Sequence, residues 1–177
     1  ENAALFKHEL CRPAWVNSKA SKVEIFAGSL GSISQCTAIF LSRAMLESAV
    51  VACLKLSPEG NCPDSLYGLI RDWDVSSVNQ MNAIFNYATS FNGDISRWDV
   101  SSVTTMNAIL GGASSFNGDL SKWDVSTVTG MNGMFWEASA FNSDLSKWDV
   151  SRVKDMSNIF SNANSFNSDI SEWDLSS

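Results

Sequence analysis

Carboxylates are the side chains best placed to do chemistry in this chain, and they recur. An aspartate follows a tryptophan at Trp73-Asp74, Trp98-Asp99, Trp123-Asp124, Trp148-Asp149 and Trp173-Asp174, each step being 25 residues. A second series, Asp94, Asp119, Asp144 and Asp169, keeps the same step, and each lies two residues after Asn92, Asn117, Asn142 or Asn167. Carboxylates bind calcium when several oxygens converge from one loop, and catalyse when unlike groups converge on one point. A ladder instead spreads identical groups evenly. Each Asn-x-Asp corner brings a single carboxylate, so these side chains are expected to hydrogen-bond the turn backbone and one another along the repeat. The single histidine is His8, there is no Cys-x-x-Cys, and no glycine-rich phosphate loop is present. The residues therefore point to no catalytic set, no metal site and no cofactor, and to a protein that is not an enzyme.

The elements that carry these carboxylates must repeat with them. Met81, Met106, Met131 and Met156 form a column, as do Phe91, Phe116, Phe141 and Phe166, and Ser76, Ser101, Ser126, Ser151 and Ser176. A fixed period of this size marks stacked repeats, whose units bury their apolar faces only against neighbours. Within one unit, Trp98 and Val100 alternate with Arg97 and Asp99, which suits a short half-buried strand. Val103, Met106, Leu110 and Ala113 then follow at helical spacing, with Ser101 as the expected N-cap. Phe116-Asn117-Gly118-Asp119 reads as the return turn. The expected fold class is an α/β solenoid, a leucine-rich-repeat-like stack of short parallel strands and helices. It would occupy residues 69–177 as about four units of 25 residues plus a partial last one. Each tryptophan is expected to point inward, stacked on its counterpart, rather than to form an exposed sugar-binding strip.

The run FN-x-D-[IL]-S-x-WDVS-x-V-x-x-M-x-x-[IM]-F-x-x-A resembles the BspA-like, DUF285 type of repeat, found in bacterial surface proteins and many unicellular algae. Leu110 and Leu175 are small departures from it, standing where Phe and Val are usual. The resemblance implies a surface or secreted repeat protein used for contact, and supplies no catalytic residue.

Residues 1–68 do not repeat and are read as a helical N-terminal cap, with a helix near 34–56 placing Ile39, Leu46, Val50 and Cys53 near one face. The uncharged run 25–42 contains too many Gly and Ser residues for a membrane span. No signal-peptide pattern stands in residues 1–24, and a chain that begins at Glu1 and stops at Ser177 suggests a processed or partial sequence. All four cysteines, Cys11, Cys36, Cys53 and Cys62, lie in this region. Cys53 and Cys62 flank a Pro-Glu-Gly turn and form a plausible disulfide, which would place the protein outside the reducing cytosol; buried free thiols are the other reading.

The net charge is −7, and residues 71–177 account for all of it, with thirteen acids against six bases. A negative repeat region argues against nucleic acid and anionic lipid. Asp99, Asp124 and Asp149 are expected on an open face, offset by the basic column Arg97, Lys122 and Lys147. These six residues and Trp136, which replaces Asn86, Gly111 and Ser161 of the other units at a solvent-facing position, are the candidate partner contacts. The expected function is a protein-interaction module binding a protein or glycan partner, secreted or at the cell surface. The alternative is a structural accessory subunit of a larger assembly. The family's occurrence in algae makes a peripheral subunit of an organellar photosynthetic membrane complex one version of that alternative.

Overall fold

The computed structural model describes residues 37–63, 65 and 67–176. His8, Cys11, Cys36, most of the uncharged run 25–42 and the expected helix start at Ser34 lie outside the described residues. Among the described residues there is one α-helix, α1 (Arg43–Leu56), followed by a single 3-10 turn, Ile70–Asp72. Helix α1 starts later than the apolar pattern suggests, because Ile39 is bridged in parallel to Asp74. The extended Ser42 caps the helix, its Oγ accepting from the Met45 N–H at 3.4 Å. Leu46, Ala49, Val50 and Cys53 are its buried face.

The repeat units overturn the expected α/β solenoid. They contain neither its short parallel strands nor its helices, and each unit is a coil of successive turns. Sheet-like pairing between units is reduced to isolated parallel bridges joining Gln80, Thr105, Gly130 and Asp155 in succession. The reason lies in the backbone. Ala83, Ala108, Gly133 and Asn158 form one column of left-handed residues, with φ between 51° and 59°; Tyr87, Gly112, Glu137 and Asn162 form a second, with φ between 56° and 71°. A left-handed residue every fourth position stops a right-handed helix from propagating. Alternate amides then have two destinations. The N–H groups of Met81, Ala83, Phe85 and Tyr87 donate to the carbonyls of Thr105, Asn107, Ile109 and Gly111 in the next unit at 2.7–2.9 Å. The intervening N–H groups of Asn86 and Ala88 close turns onto Ala83 and Phe85. The helical spacing of Val103, Met106, Leu110 and Ala113 was thus a true signal of burial, since all are fully buried, but not of helix. Ser101 is no N-cap: its N–H and Oγ–H both donate to Asp99 Oδ1, at 3.1 and 2.6 Å.

The expected strand is also absent. The backbone around Trp98 forms only the turn from the Trp98 N–H to the Ile95 carbonyl, and the indole joins the units instead. Trp98, Trp123, Trp148 and Trp173 donate Nε1–H to Ile70, Ile95, Leu120 and Leu145, respectively, at 2.9–3.1 Å and each 28 residues back. Side-chain alternation holds without a strand: Trp98 and Val100 are buried, Arg97 and Asp99 exposed. The aromatic columns stack, with centroids 6.0 Å apart for Phe116–Phe141 and 6.4 Å for Trp148–Trp173. Asparagines add a ladder, in which the N–H groups of Asn117, Asn142 and Asn167 donate to Oδ1 of Asn92, Asn117 and Asn142.

The N-terminal segment closes the first unit. The Arg43 guanidinium donates to the Asn82 carbonyl at 2.9 and 3.2 Å, the position at which Asn107 and Asn132 accept an amide from the preceding unit. A cation therefore substitutes for an absent coil. The Cys53–Cys62 disulfide ties the end of α1 to a loop in which Gly60 adopts φ +90°. A Cβ at Gly60 would collide with the Phe91 ring, so this loop seats directly on the first phenylalanine of the column.

Two stability measurements check this account. Trp123→Ala is expected to cost about 3–5 kcal/mol in urea unfolding, and Trp123→Phe about 1–3 kcal/mol, the cost of leaving the buried Ile95 carbonyl unpaired. Cys53→Ser/Cys62→Ser opens a loop with sequence separation 9 and is expected to destabilise by roughly 2–3 kcal/mol. An unchanged melting temperature in either series would contradict the roles given to these groups.

Candidate interaction surface

The outward face of each unit is built by a short motif, aspartate followed two residues later by serine. Asp94, Asp99, Asp124, Asp149 and Asp174 each accept the N–H of Ser96, Ser101, Ser126, Ser151 or Ser176 at 3.0–3.1 Å. Asp119, Asp144 and Asp169 do the same with Ser121, Ser146 and Ser171 at 2.9 Å. These bonds satisfy the carboxylates with neutral donors, so the charge remains. In eight cases such bonds also hold the aspartate below its ordinary value of 3.8. For Asp94, Asp99, Asp119, Asp149, Asp155 and Asp174 the hydroxyl of the serine two residues on is the largest cause and its N–H the next. For Asp144 and Asp169 the N–H comes first.

The basic column is placed differently from the sequence expectation. Arg97 lies 3.9 Å from Asp72 in an exposed pair, a contact of small energetic weight. The positive charges of Arg97, Lys122 and Lys147 act on Asp94, Asp119 and Asp144, and none of the three acts on Asp99 or Asp149. Asp99, Asp124 and Asp149 are exposed, as are Arg97, Lys122 and Lys147. Among the described residues no ion pair or hydrogen bond joins any two of the six. Among the described residues no group of three His, Cys, Asp or Glu side chains could hold a metal ion, and no helix is long and apolar enough to cross a membrane.

Trp136 departs from its expected setting. It is half-buried rather than solvent-facing, and it meets Tyr87 edge to face with centroids 5.7 Å apart and planes at 88°. The two residues belong to the first and third units. They meet because the second carries Gly111 and Gly112 between them, and a Cβ at Gly112 would lie 2.7 Å from Tyr87 Cδ1. Tyr87 therefore lies across a glycine floor, and the residue is 59% exposed. Sequence reasoning passed over Tyr87, although the signal was there: its column reads Tyr, Gly, Glu, Asn. Tyrosine is a poor occupant of that position, because its φ of 57° is a conformation that glycine and asparagine adopt most readily. Glu137 occupies the same column two units on and forms no ion pair among the described residues.

Fold and surface together define a protein of 25-residue repeats, stacked as hydrogen-bonded coils around aromatic columns with an acidic exterior. Residues 61–173 match the family described as Mycoplasma protein of unknown function, DUF285, and the chain belongs to that family. Neither a curated protein nor a solved structure shows significant similarity to it.

A pH prediction follows from the aspartate turns. Their folded-state affinity for protons is lower than that of the unfolded chain, so the unfolded state binds more protons in acid. The stabilisation is complete well above pH 3.8 and is lost as pH falls through that value and the depressed folded values below it. The melting temperature is expected to drop steeply on acidification through this window. Ser101→Ala/Ser151→Ala should make that drop shallower while lowering stability at neutral pH; an unaltered profile would count against the serine hydroxyls as the cause.

Proposed function

We propose that this chain is a non-enzymatic interaction module that recognises a protein partner. The observation that carries this reading is the Tyr87–Trp136 pair. Elsewhere the units bury their large aromatics in columns; here two rings from units that are not adjacent meet at the surface. Tyrosine and tryptophan are enriched at contact hot spots, where they supply large apolar area with little rotamer entropy. The choice of tyrosine points the same way, since the left-handed backbone of this column is one that glycine or asparagine would occupy at less cost. A surface of evenly spaced aspartates held by serines offers charge to a partner but no convergent chemistry for catalysis. The Cys53–Cys62 bond supports an oxidising compartment, in keeping with secretion or cell-surface display.

The test uses residues that other units already carry at the same positions. Trp136→Ser introduces the residue found at Ser161, and Tyr87→Asn the residue found at Asn162. Partner proteins that remain with the wild-type chain during mild native purification are expected to be lost from the double variant. Its melting temperature should hold or rise, because asparagine accepts left-handed backbone more readily than tyrosine. Equal retention by both chains would refute the reading.

A further inference from the structure

We infer that Tyr87, Trp136 and Glu137 form a docking platform for a cationic side chain, arginine in preference to lysine, presented by an exposed segment of the protein partner. The inference rests on the interaction reading above and adds the chemistry of what is recognised. Three observations select a cation. The first is the ring geometry. Tyr87 lies over Gly112 and meets Trp136 edge to face, and the residue as a whole remains 59% exposed. A guanidinium plane can stack on such a ring, held by the negative potential of the aromatic face.

The second observation is the neighbouring carboxylate. Glu137 follows Trp136 in sequence and shares the left-handed column with Tyr87 and Gly112. Its backbone adjoins Trp136, the residue whose ring meets Tyr87. It has no ion-pair partner among the described residues, so an incoming cation would meet an uncompensated charge. The third is the field of the whole repeat region. Thirteen acids face six bases, and most of the aspartates are satisfied by serine donors that leave their charge in place. Such a surface steers a basic segment toward the rings and disfavours an acidic one. A neutral sugar could stack on Tyr87 but would draw nothing from the charge. Arginine is preferred over lysine because its planar, weakly hydrated head can stack and hydrogen-bond a carboxylate together.

The probe is a blocked glycine-serine peptide bearing three arginines, compared with otherwise identical peptides bearing three lysines or three citrullines. Citrulline keeps the shape of arginine without its charge. Affinity for the full chain is measured at low and high salt, with the Trp136 indole resonance followed by NMR. The arginine peptide is expected to bind tightest, the citrulline peptide to bind weakest, and the Trp136 resonance to shift. Tyr87→Asn/Trp136→Ser should weaken the arginine peptide about tenfold, and Glu137→Gln severalfold, with both variants keeping the wild-type circular dichroism spectrum. Equal binding of arginine and citrulline peptides, or undiminished binding by the double variant, overturns the inference; the latter would assign the attraction to the aspartate strip. Absence of arginine-peptide binding overturns it too, as does a neutral oligosaccharide shifting Trp136 where the peptide does not. If native partners are still lost from the double variant while the arginine peptide fails to bind, the interaction reading stands and the cationic chemistry alone falls.

Discussion

Every unit of this protein depends on amides whose acceptors belong to another unit. The N–H groups of Met106, Ala108, Leu110 and Gly112 find carbonyls on Gly130, Asn132, Met134 and Trp136, and each indole from Trp98 to Trp173 reaches back 28 residues. A helix satisfies its own backbone; a single coil of this kind leaves half of these groups unpaired, at a cost of the order of 1–3 kcal/mol for each one buried. Repeat, register and core are therefore one cooperative construction, and no unit is stable without a neighbour or a substitute for one. Arg43 is such a substitute at the first unit.

Much of this was legible in the residues and some was not. The period, the inward tryptophans, the asparagine ladder and the Cys53–Cys62 bond follow from column identities and local turn chemistry. The expected helix and strand failed for a common reason. Side-chain spacing reports which residues are buried, and a coil of tight turns can bury positions 103, 106, 110 and 113 just as a helix does. What distinguishes the two is the backbone, and its signals were subtle. Glycine or asparagine stands in some units where alanine, tyrosine or glutamate stands in others, so neither left-handed column reads as a consistent turn signature. Serine misled in the same way. At Ser101 it suited an N-cap, but the aspartate two residues before it offered a closer acceptor, and a turn resulted.

The surface was less legible than the core, because its aromatic pair sits where the period breaks. Trp136 stood out as a single deviation, but its partner Tyr87 lies 49 residues away in sequence, and only the stacking offset brings the rings together. The aspartate strip, by contrast, was visible as a column. Its charge was easy to read and its serine partners were not, so the basic column seemed to be what offset it. Hydroxyls and amides hold these acids in place, while the charges of Lys122, Lys147 and Arg97 act on the other aspartate series.

The glycine floor beneath Tyr87 ties the aromatic pair to copy number. Tandem duplication can lengthen an array of this kind by whole units, each adding about 4.8 Å to the stack. A unit gained outside the stretch between Tyr87 and Trp136 leaves their 5.7 Å contact untouched, whereas one gained between them pulls the rings apart by a full step. Growth of the repeat therefore spares the aromatic pair when it falls outside residues 87–136 and breaks it when it falls within them, so the number of units between the two rings cannot drift while the pair is kept.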